Sequence, residues 1–219
     1  MNKAFTRILL IIAAMSSSPM LAKICPKGMV PVKNSAKKVS VCVDKYEYSL
    51  RKAKRKSRPL ANVNYYECRN YCAKQRKRLL THNEWQVACE GTKPQYCNRS
   101  KPHPVIQKLK DKRPWVYDRK NCKNPKNTWR DCMKDPSLNR KSLARNGDYK
   151  KCVSKYGVHH MVGNLGEWVH DFRKRDGLVY GRFNGGLYPQ QKSSCSYTTK
   201  AHKLDYKDYS IGCRCAVKL

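Results

Sequence analysis

The pattern of hydrophobic and polar positions near the start of the chain predicts a β-hairpin. Residues 28–32 form a short apolar run, and residues 39–44 alternate valine with serine, cysteine and aspartate. A period of two is typical of a half-buried strand, and the polar residues between the two runs suit a turn. Cys25 and Cys42 could therefore face each other across this hairpin.

Two later segments predict short amphipathic helices. In the first, Cys68 and Cys72 lie four residues apart and therefore on one face, and Gly91 is expected to end the second. Each segment starts with a capping box, in which a side chain at the N-cap and a glutamate three residues later satisfy the first backbone donors. The two boxes are Asn64 with Glu67 and Thr81 with Glu84.

The remaining pattern predicts strands that surround an irregular segment. Residues 168–169 and 178–180 are expected to form short strands, and residues 211–217 one last strand. Residues 92–155 are interrupted by prolines and dominated by lysine and arginine. We expect them to form a basic excursion pinned by disulfides, within the same domain.

The N-terminus has the features of a secretory signal peptide. Lys3 and Arg7 precede an eight-residue apolar run, too short to span a bilayer, and a polar break leads to a cut after Ala22. A buried N-terminal helix is the alternative. We therefore expect a mature domain over 23–219 that is secreted or periplasmic and has no transmembrane segment.

Cysteine and charge change the picture further. The chain of 219 residues has twelve cysteines and a formal charge of +33, of which the signal peptide accounts for only two units. A charged fraction of 29% excludes a polytopic membrane protein, and a hydrophobic fraction of 40% excludes a disordered basic tail. An even cysteine count in an oxidising compartment favours up to six disulfides. A zinc site built on the close pairs Cys68/Cys72 and Cys213/Cys215 is the alternative, although no CxxC pair occurs.

One run of basic residues is a candidate binding site. So many like charges repel one another in a packed element, so residues 51–58 are expected to be a solvated arm. Outside the cytoplasm its partner would be an anionic polymer or envelope surface, such as lipopolysaccharide, acidic glycan or cell wall, and extracellular nucleic acid is possible. The alternative is that the charge serves only solubility. The basic residues are Arg51, Lys52, Lys54, Arg55, Lys56 and Arg58.

Four separated segments together resemble the formylglycine-generating enzyme family, also called sulfatase-modifying factor. They are similar, in order, to the family's patterns Arg-Leu-Pro-Thr-Glu-Ala-Glu-Trp-Glu, Gly-Leu-Tyr-Asp-Met-x-Gly-Asn-Val-Trp-Glu-Trp-x-x-Asp, Arg-Gly-Gly-Ser-Trp and Ile-Gly-Phe-Arg-Cys-Ala. The resemblance implies one α+β domain, an irregular, disulfide-rich variant of the C-type lectin fold. The segments are 77–89, 156–171, 182–188 and 211–216.

The resemblance also bears on the cysteines. The family commonly links its first helix to its last strand, which here implies a disulfide between Cys72 and Cys215. We further expect disulfides between Cys89 and Cys195 and between Cys25 and Cys42. The family's enzymes oxidise a sulfatase cysteine with two copper-binding cysteines five residues apart. The matching positions hold Gln190 and Cys195, and an amide replaces the soft thiolate that copper(I) prefers, so copper is not expected.

Two hypotheses follow for the function. In the first, the domain is a non-catalytic binding module for an anionic partner. In the second, Cys195 keeps a reactive thiol and the domain is an oxidase of the family's type; the alternative role of Cys195 is half of a disulfide. The resemblance also implies a calcium site at the Glu167 carboxylate and the carbonyls of Gly163 and Leu165. The alternative is that Asn164, Glu167 and Asp171 form hydrogen bonds with the backbone instead of binding a metal. His160 stands where the family has an oxygen ligand, which calcium prefers.

Overall fold

The computed structural model describes residues 24–50, 54–94, 97, 143–187 and 193–219. Within these ranges the chain forms strands and two short helices. The predicted signal peptide, the start of the basic arm and most of the predicted excursion lie outside them. In chain order the elements are β1 (Met29–Asn34), β2 (Val39–Asp44), α1 (Tyr65–Lys74), β3 (Arg78–Leu79), α2 (His82–Cys89), β4 (Gly166–Arg175), β5 (Leu178–Asn184), β6 (Thr198–Lys203), β7 (Ile211–Cys213) and β8 (Cys215–Lys218).

The strands form two sheets. The first has the order β1-β2-β8-β3 and contains the predicted hairpin, in which Met29 pairs with Asp44 and Asn34 with Val39. The second has the order β6-β5-β4-β7, with β7 parallel to β4 and the other pairs antiparallel. The mixed sheets and few helices agree with the expected α+β architecture.

The last strand is divided, which corrects the prediction of one strand over 211–217. β7 pairs with β4 in the second sheet, whereas β8 pairs with β2 and β3 in the first. Arg214 stands between them with a fully buried side chain. Its guanidinium binds groups that come from both sheets, so this one residue lies at the junction where the chain passes from one sheet to the other.

Both predicted capping boxes are present. Asn64 Oδ1 accepts from the Glu67 backbone at 2.9 Å, and Glu67 Oε2 accepts from the Asn64 backbone at 2.9 Å. Thr81 and Glu84 make the same reciprocal pair at the start of α2. α2 ends at Cys89, and Gly91 follows with φ +81°, a conformation that favours glycine.

Two apolar clusters form the core. One lies around Trp85 of α2 and contacts the valines of β1 and β2, and the other lies around Tyr65 and Trp168, between α1 and the second sheet. The predicted periodicity of β1 and β2 therefore places the valines against α2, as burial of apolar area requires.

Disulfides connect these layers. The ten cysteines in the described ranges form five disulfides, and Cys122 and Cys132 lie outside those ranges. The three expected pairings are all present. Because Cys68 and Cys213 also pair with each other, the zinc alternative on these close pairs is wrong. The pairs are Cys25–Cys42, Cys68–Cys213, Cys72–Cys215, Cys89–Cys195 and Cys97–Cys152.

Candidate functional site

The Glu167 carboxylate lies at the junction of the two sheets, fully buried. Arg214 donates to both of its oxygens, with Nε at 3.0 Å from each and Nη2 at 2.7 Å from Oε1. Trp85 Nε1 donates to Oε2 at 2.7 Å. Burial raises the pKa of Glu167, and the guanidinium of Arg214 opposes that shift. The carboxylate is thus saturated by protein donors.

These contacts bear on the calcium expected at Glu167. A calcium ion needs several oxygen ligands with free lone pairs. Here a calcium ion would have to displace a buried arginine, and the positive guanidinium beside the carboxylate repels a second cation. The described donor set therefore does not fit calcium at this position. Among the described residues, no cluster of three or more His, Cys, Asp or Glu side chains is arranged to hold a metal.

The segment that contains the expected calcium ligands contacts a second buried acid, Glu47. Asn164 has φ +58° and donates from Nδ2 to Glu47 Oε2 at 2.6 Å, while the Leu165 backbone donates to Glu47 Oε1 at 3.2 Å. The Gly163 backbone donates to Gly185 at 2.9 Å. His160 is buried with Nδ1 3.6 Å from Glu47 Oε2. The sequence left two roles open for this segment, metal binding and hydrogen bonding, and in the structure Asn164 Nδ2 and the Leu165 amide donate to Glu47.

Cys195 is bonded to Cys89. The conditional catalytic role of Cys195 required a free thiolate, because the thiolate is the nucleophile and the metal ligand. In this structure that condition is not met, and the structural role that the sequence left open is the one observed. Gln190 lies outside the described residues.

One buried amide connects the described part of the basic arm, residues 54–58, to the core. Asn146 donates from Nδ2 to Ser57 Oγ, Ser49 Oγ and the Glu47 carbonyl at 3.0, 3.2 and 3.1 Å. Its backbone pairs with Lys56 and Ser57 at 2.7 and 2.9 Å. These hydrogen bonds connect residues 56 and 57 to the segment after β2.

The side chains of the arm point outward from this anchor. Lys54, Arg55, Lys56 and Arg58 are exposed, and Arg51 and Lys52 lie outside the described residues. Within the described ranges Lys54, Arg55 and Lys56 have no acidic partner. The described part of the arm therefore presents three positive charges without acidic partners, on a backbone that Asn146 holds by hydrogen bonds at residues 56 and 57.

Sequence reasoning missed an aromatic cluster on the outer face of α1 and β4. Phe172 packs edge-on against Tyr65, with ring centroids 5.1 Å apart, and against His170 at 5.0 Å. Tyr66 packs against the other side of Tyr65 at 5.7 Å. The signals were the Tyr65–Tyr66 doublet and the His170-x-Phe172 spacing, which predict neighbours only once α1 is known to lie on β4.

Comparisons with known proteins agree with this fold. The solved structures of the Major Tropism Determinant M1 and P3c variants each match with a TM-score of 0.58 and 13% identity, over 90% and 89% of this chain. This chain spans about half the length of those proteins, 54% and 53%. CarF matches with a TM-score of 0.49 and 13% identity, over 87% of this chain and 93% of CarF. No curated protein matches.

A family model gives the decisive match. The model of the sulfatase-modifying factor enzyme 1-like domain covers residues 30–219, which include all four sequence segments quoted above. The fold is the variant of the C-type lectin fold that the resemblance implied. The chain therefore belongs to the family of sulfatase-modifying factor enzyme 1-like domains.

Proposed function

We propose that this chain is a non-catalytic binding module that acts outside the cytoplasm and binds an anionic polymer of the cell envelope. The observation that carries the proposal is the basic arm: exposed cations on a loop that Asn146 fixes from within the core. Because hydrogen bonds to Asn146 already hold the backbone at residues 56 and 57, less backbone entropy is lost there when a polyanion binds.

The overall charge supports the same proposal. A formal charge of +33 exceeds the magnitude of about 2 to 8 that keeps a small domain soluble. Many disulfides are consistent with a periplasmic or extracellular location. No helix in the described ranges is long and apolar enough to cross a membrane.

Salt dependence tests the proposal directly. Binding of the domain to purified lipopolysaccharide and to polygalacturonate is measured by titration between low and physiological salt. We expect affinity to fall steeply, since each cation that pairs with the polymer releases counterions. Affinity that does not change with salt would reject the proposal.

Charge-matched variants locate the site. Replacing Lys54, Arg55 and Lys56 by alanine should reduce the salt slope by about one unit for each lost contact. The control variant replaces Lys27, Lys33 and Lys218 by alanine. These residues are exposed on the first sheet or just before it, and their replacement removes the same amount of positive charge. Equal losses in both variants would show a diffuse charge effect without a site at the arm.

The oxidase alternative has its own test. It requires a free thiol at Cys195, whereas the structure bonds this residue to Cys89. Thiol counting by mass spectrometry on the unreduced mature protein separates the two. A free thiol at Cys195 would restore the oxidase hypothesis.

A further inference from the structure

Two aromatic rings are exposed on the face shared by α1 and β4. Tyr66 is 44% exposed and Phe172 is 41% exposed, whereas Tyr65, which contacts both rings, is buried. Isolated exposed aromatics are common, but here two of them flank one buried ring and form a continuous cluster. We call Tyr65, Tyr66, His170 and Phe172 the aromatic cluster.

An irregularity in β4 produces this arrangement. Val169 pairs with Arg182 but Phe172 pairs with Gly181, so β4 has two extra residues at this point. The His170 backbone leaves the ladder and donates to the Leu80 carbonyl at 2.7 Å. Such irregularities bend a strand and redirect its side chains. His170 and Phe172 project towards α1, while Asp171 pairs with Arg182 at 3.0 Å.

A hydrogen bond fixes the orientation of His170. Its Nδ1 lies 2.7 Å from the Tyr65 hydroxyl. The Tyr65 ring is buried, whereas the His170 side chain is exposed. The contact with Tyr65 uses Nδ1 and leaves Nε2 to form a hydrogen bond with a ligand beside the Phe172 ring.

Two exposed cations lie beside the aromatic cluster. The Arg69 guanidinium lies 5.9 Å from the Tyr66 ring centroid, and Lys174 lies two residues beyond Phe172, on the same face of β4. In the described part of the chain neither makes an ion pair with an acid, whereas the two nearby acids, Glu67 and Asp171, are paired with Lys207 and Arg182. A ligand at this place meets two aromatic rings, one imidazole and two cations.

We propose that the aromatic cluster is a second contact site, which binds the sugar rings of an acidic polysaccharide. The apolar face of a sugar ring packs on an aromatic ring, its hydroxyls form hydrogen bonds with His170, and its acidic groups pair with Arg69 and Lys174. This inference rests on the proposed function and narrows the anionic polymer to one made of sugars. A ring-free polyanion would use the charges alone.

The arm and the aromatic cluster lie close along the chain. Tyr66 follows Arg58 by eight positions, a reach of at most about 30 Å even when fully extended. Val63 in this connection belongs to the core around Tyr65, and Leu60 packs against it. A polysaccharide longer than this distance has the length to reach from one surface to the other.

Three probes test the proposal on the full mature chain. They are polygalacturonate, which has acidic sugar rings, inorganic polyphosphate, which has none, and oligothymidine, which has bases. The double variant Tyr66→Ala/Phe172→Ala should weaken polygalacturonate binding by about tenfold or more, as the loss of two stacked rings predicts, and leave polyphosphate binding unchanged. Its salt slope should stay that of the wild type.

Controls separate recognition from folding. Phe172→Leu keeps apolar packing against Tyr65 but loses the ring face, so it should also weaken polygalacturonate binding. The matched control Ile24→Ala/Leu178→Ala removes two exposed apolar side chains elsewhere and should change nothing. Thermal unfolding of each variant verifies the fold.

The possible outcomes distinguish a failure of this inference from a failure of the proposed function. Unchanged polygalacturonate binding in Tyr66→Ala/Phe172→Ala, or an equal loss for polyphosphate, would overturn the inference while the proposed function stands. Tighter binding of oligothymidine than of polygalacturonate, lost in the same variant, would assign the aromatic cluster to nucleic acid instead. If neither polygalacturonate nor polyphosphate binds in a salt-dependent way, the proposed function fails and the inference fails with it.

Discussion

The two halves of β4 contrast sharply. The first four residues, from Gly166 to Val169, are buried, and the remainder are mostly exposed. In the inner half the one charge, Glu167, is fully paired with Arg214. In the outer half Arg173 and Lys174 are exposed, with no acidic partner in the described ranges. One strand therefore supplies both the junction of the fold and part of the proposed contact surface.

The difference follows from the cost of desolvation. Taking an ion out of water costs several kcal/mol unless a partner and hydrogen bonds compensate, so the inner half accepts a charge only as a saturated pair. Exposed charges keep their hydration and need no partner. Uncompensated cations can therefore collect only on the outer half, where an anionic ligand can reach them.

The largest expected effect concerns the disulfides that connect α1 to β7 and β8, beside the inner half. Cys68–Cys213 and Cys72–Cys215 close loops of nearly equal separation, 145 and 143 residues. Replacing all four cysteines by alanine should destabilise the fold by about 5 kcal/mol, the loop-closure value for this separation. Urea unfolding of residues 23–219 measures this change in the free energy of unfolding.

The single-pair variants sharpen that prediction. If one disulfide remains, the long loop is still closed, so removing either pair alone should cost well under half of the combined loss. Strictly additive losses would show that the disulfides act through local packing instead of loop closure.

The next effect concerns Arg214 itself. Arg214→Met leaves Glu167 buried without its partner and should cost about 3 to 5 kcal/mol at neutral pH. The loss should shrink as pH falls, because the unpaired carboxyl then takes up a proton and a neutral acid is easier to bury. Combining the change with Glu167→Gln should recover part of the stability. A pH-independent loss would contradict this account.

A smaller effect is expected at the border between the halves. A Cβ added at Gly181 would lie 2.7 Å from Leu204 Cδ2 and 2.7 Å from Trp168 Cζ3. Gly181→Ala should therefore cost about 1 to 3 kcal/mol through overpacking. Adding Leu204→Ala relieves only one of the two clashes, so thermal unfolding of the double variant should show no full recovery.

The smallest effect on stability is expected in the outer half. Arg173→Ala and Lys174→Ala should change the free energy of unfolding by no more than about 0.5 kcal/mol, since both side chains are exposed. Binding of Lys174→Ala to polygalacturonate should nevertheless weaken. A large loss of stability in either variant would erase the contrast between the halves.

Local signals were sufficient for the helices and the hairpin. Asn64 with Glu67 and Thr81 with Glu84 predicted both helix starts, because a capping box involves only residues three apart. The alternation over 39–44 predicted β2 for the same reason. Motif order pointed to the family, although each segment alone is short.

Contacts between distant residues could not be predicted in this way. The split at Arg214 depends on Glu167 and on backbone carbonyls of Asp44 and His159, more than 40 residues away. The same holds for Glu167. Its motif predicts a calcium ligand, whereas in the structure Arg214 donates to its carboxylate. Asn146 gave no signal at all, since its partners lie in the arm and in the segment after β2.

The sequence by itself determined the elements that depend on near neighbours, the family and the excess of positive charge. The tertiary structure alone decided which charges are saturated, that Cys68 pairs with Cys213, and that Tyr65, His170 and Phe172 meet on one face. The physical reason is the sequence separation over which each kind of interaction acts. Capping and periodicity act within a turn or a strand, whereas the pairing of buried charges and the stacking of rings depend on which elements the fold brings together.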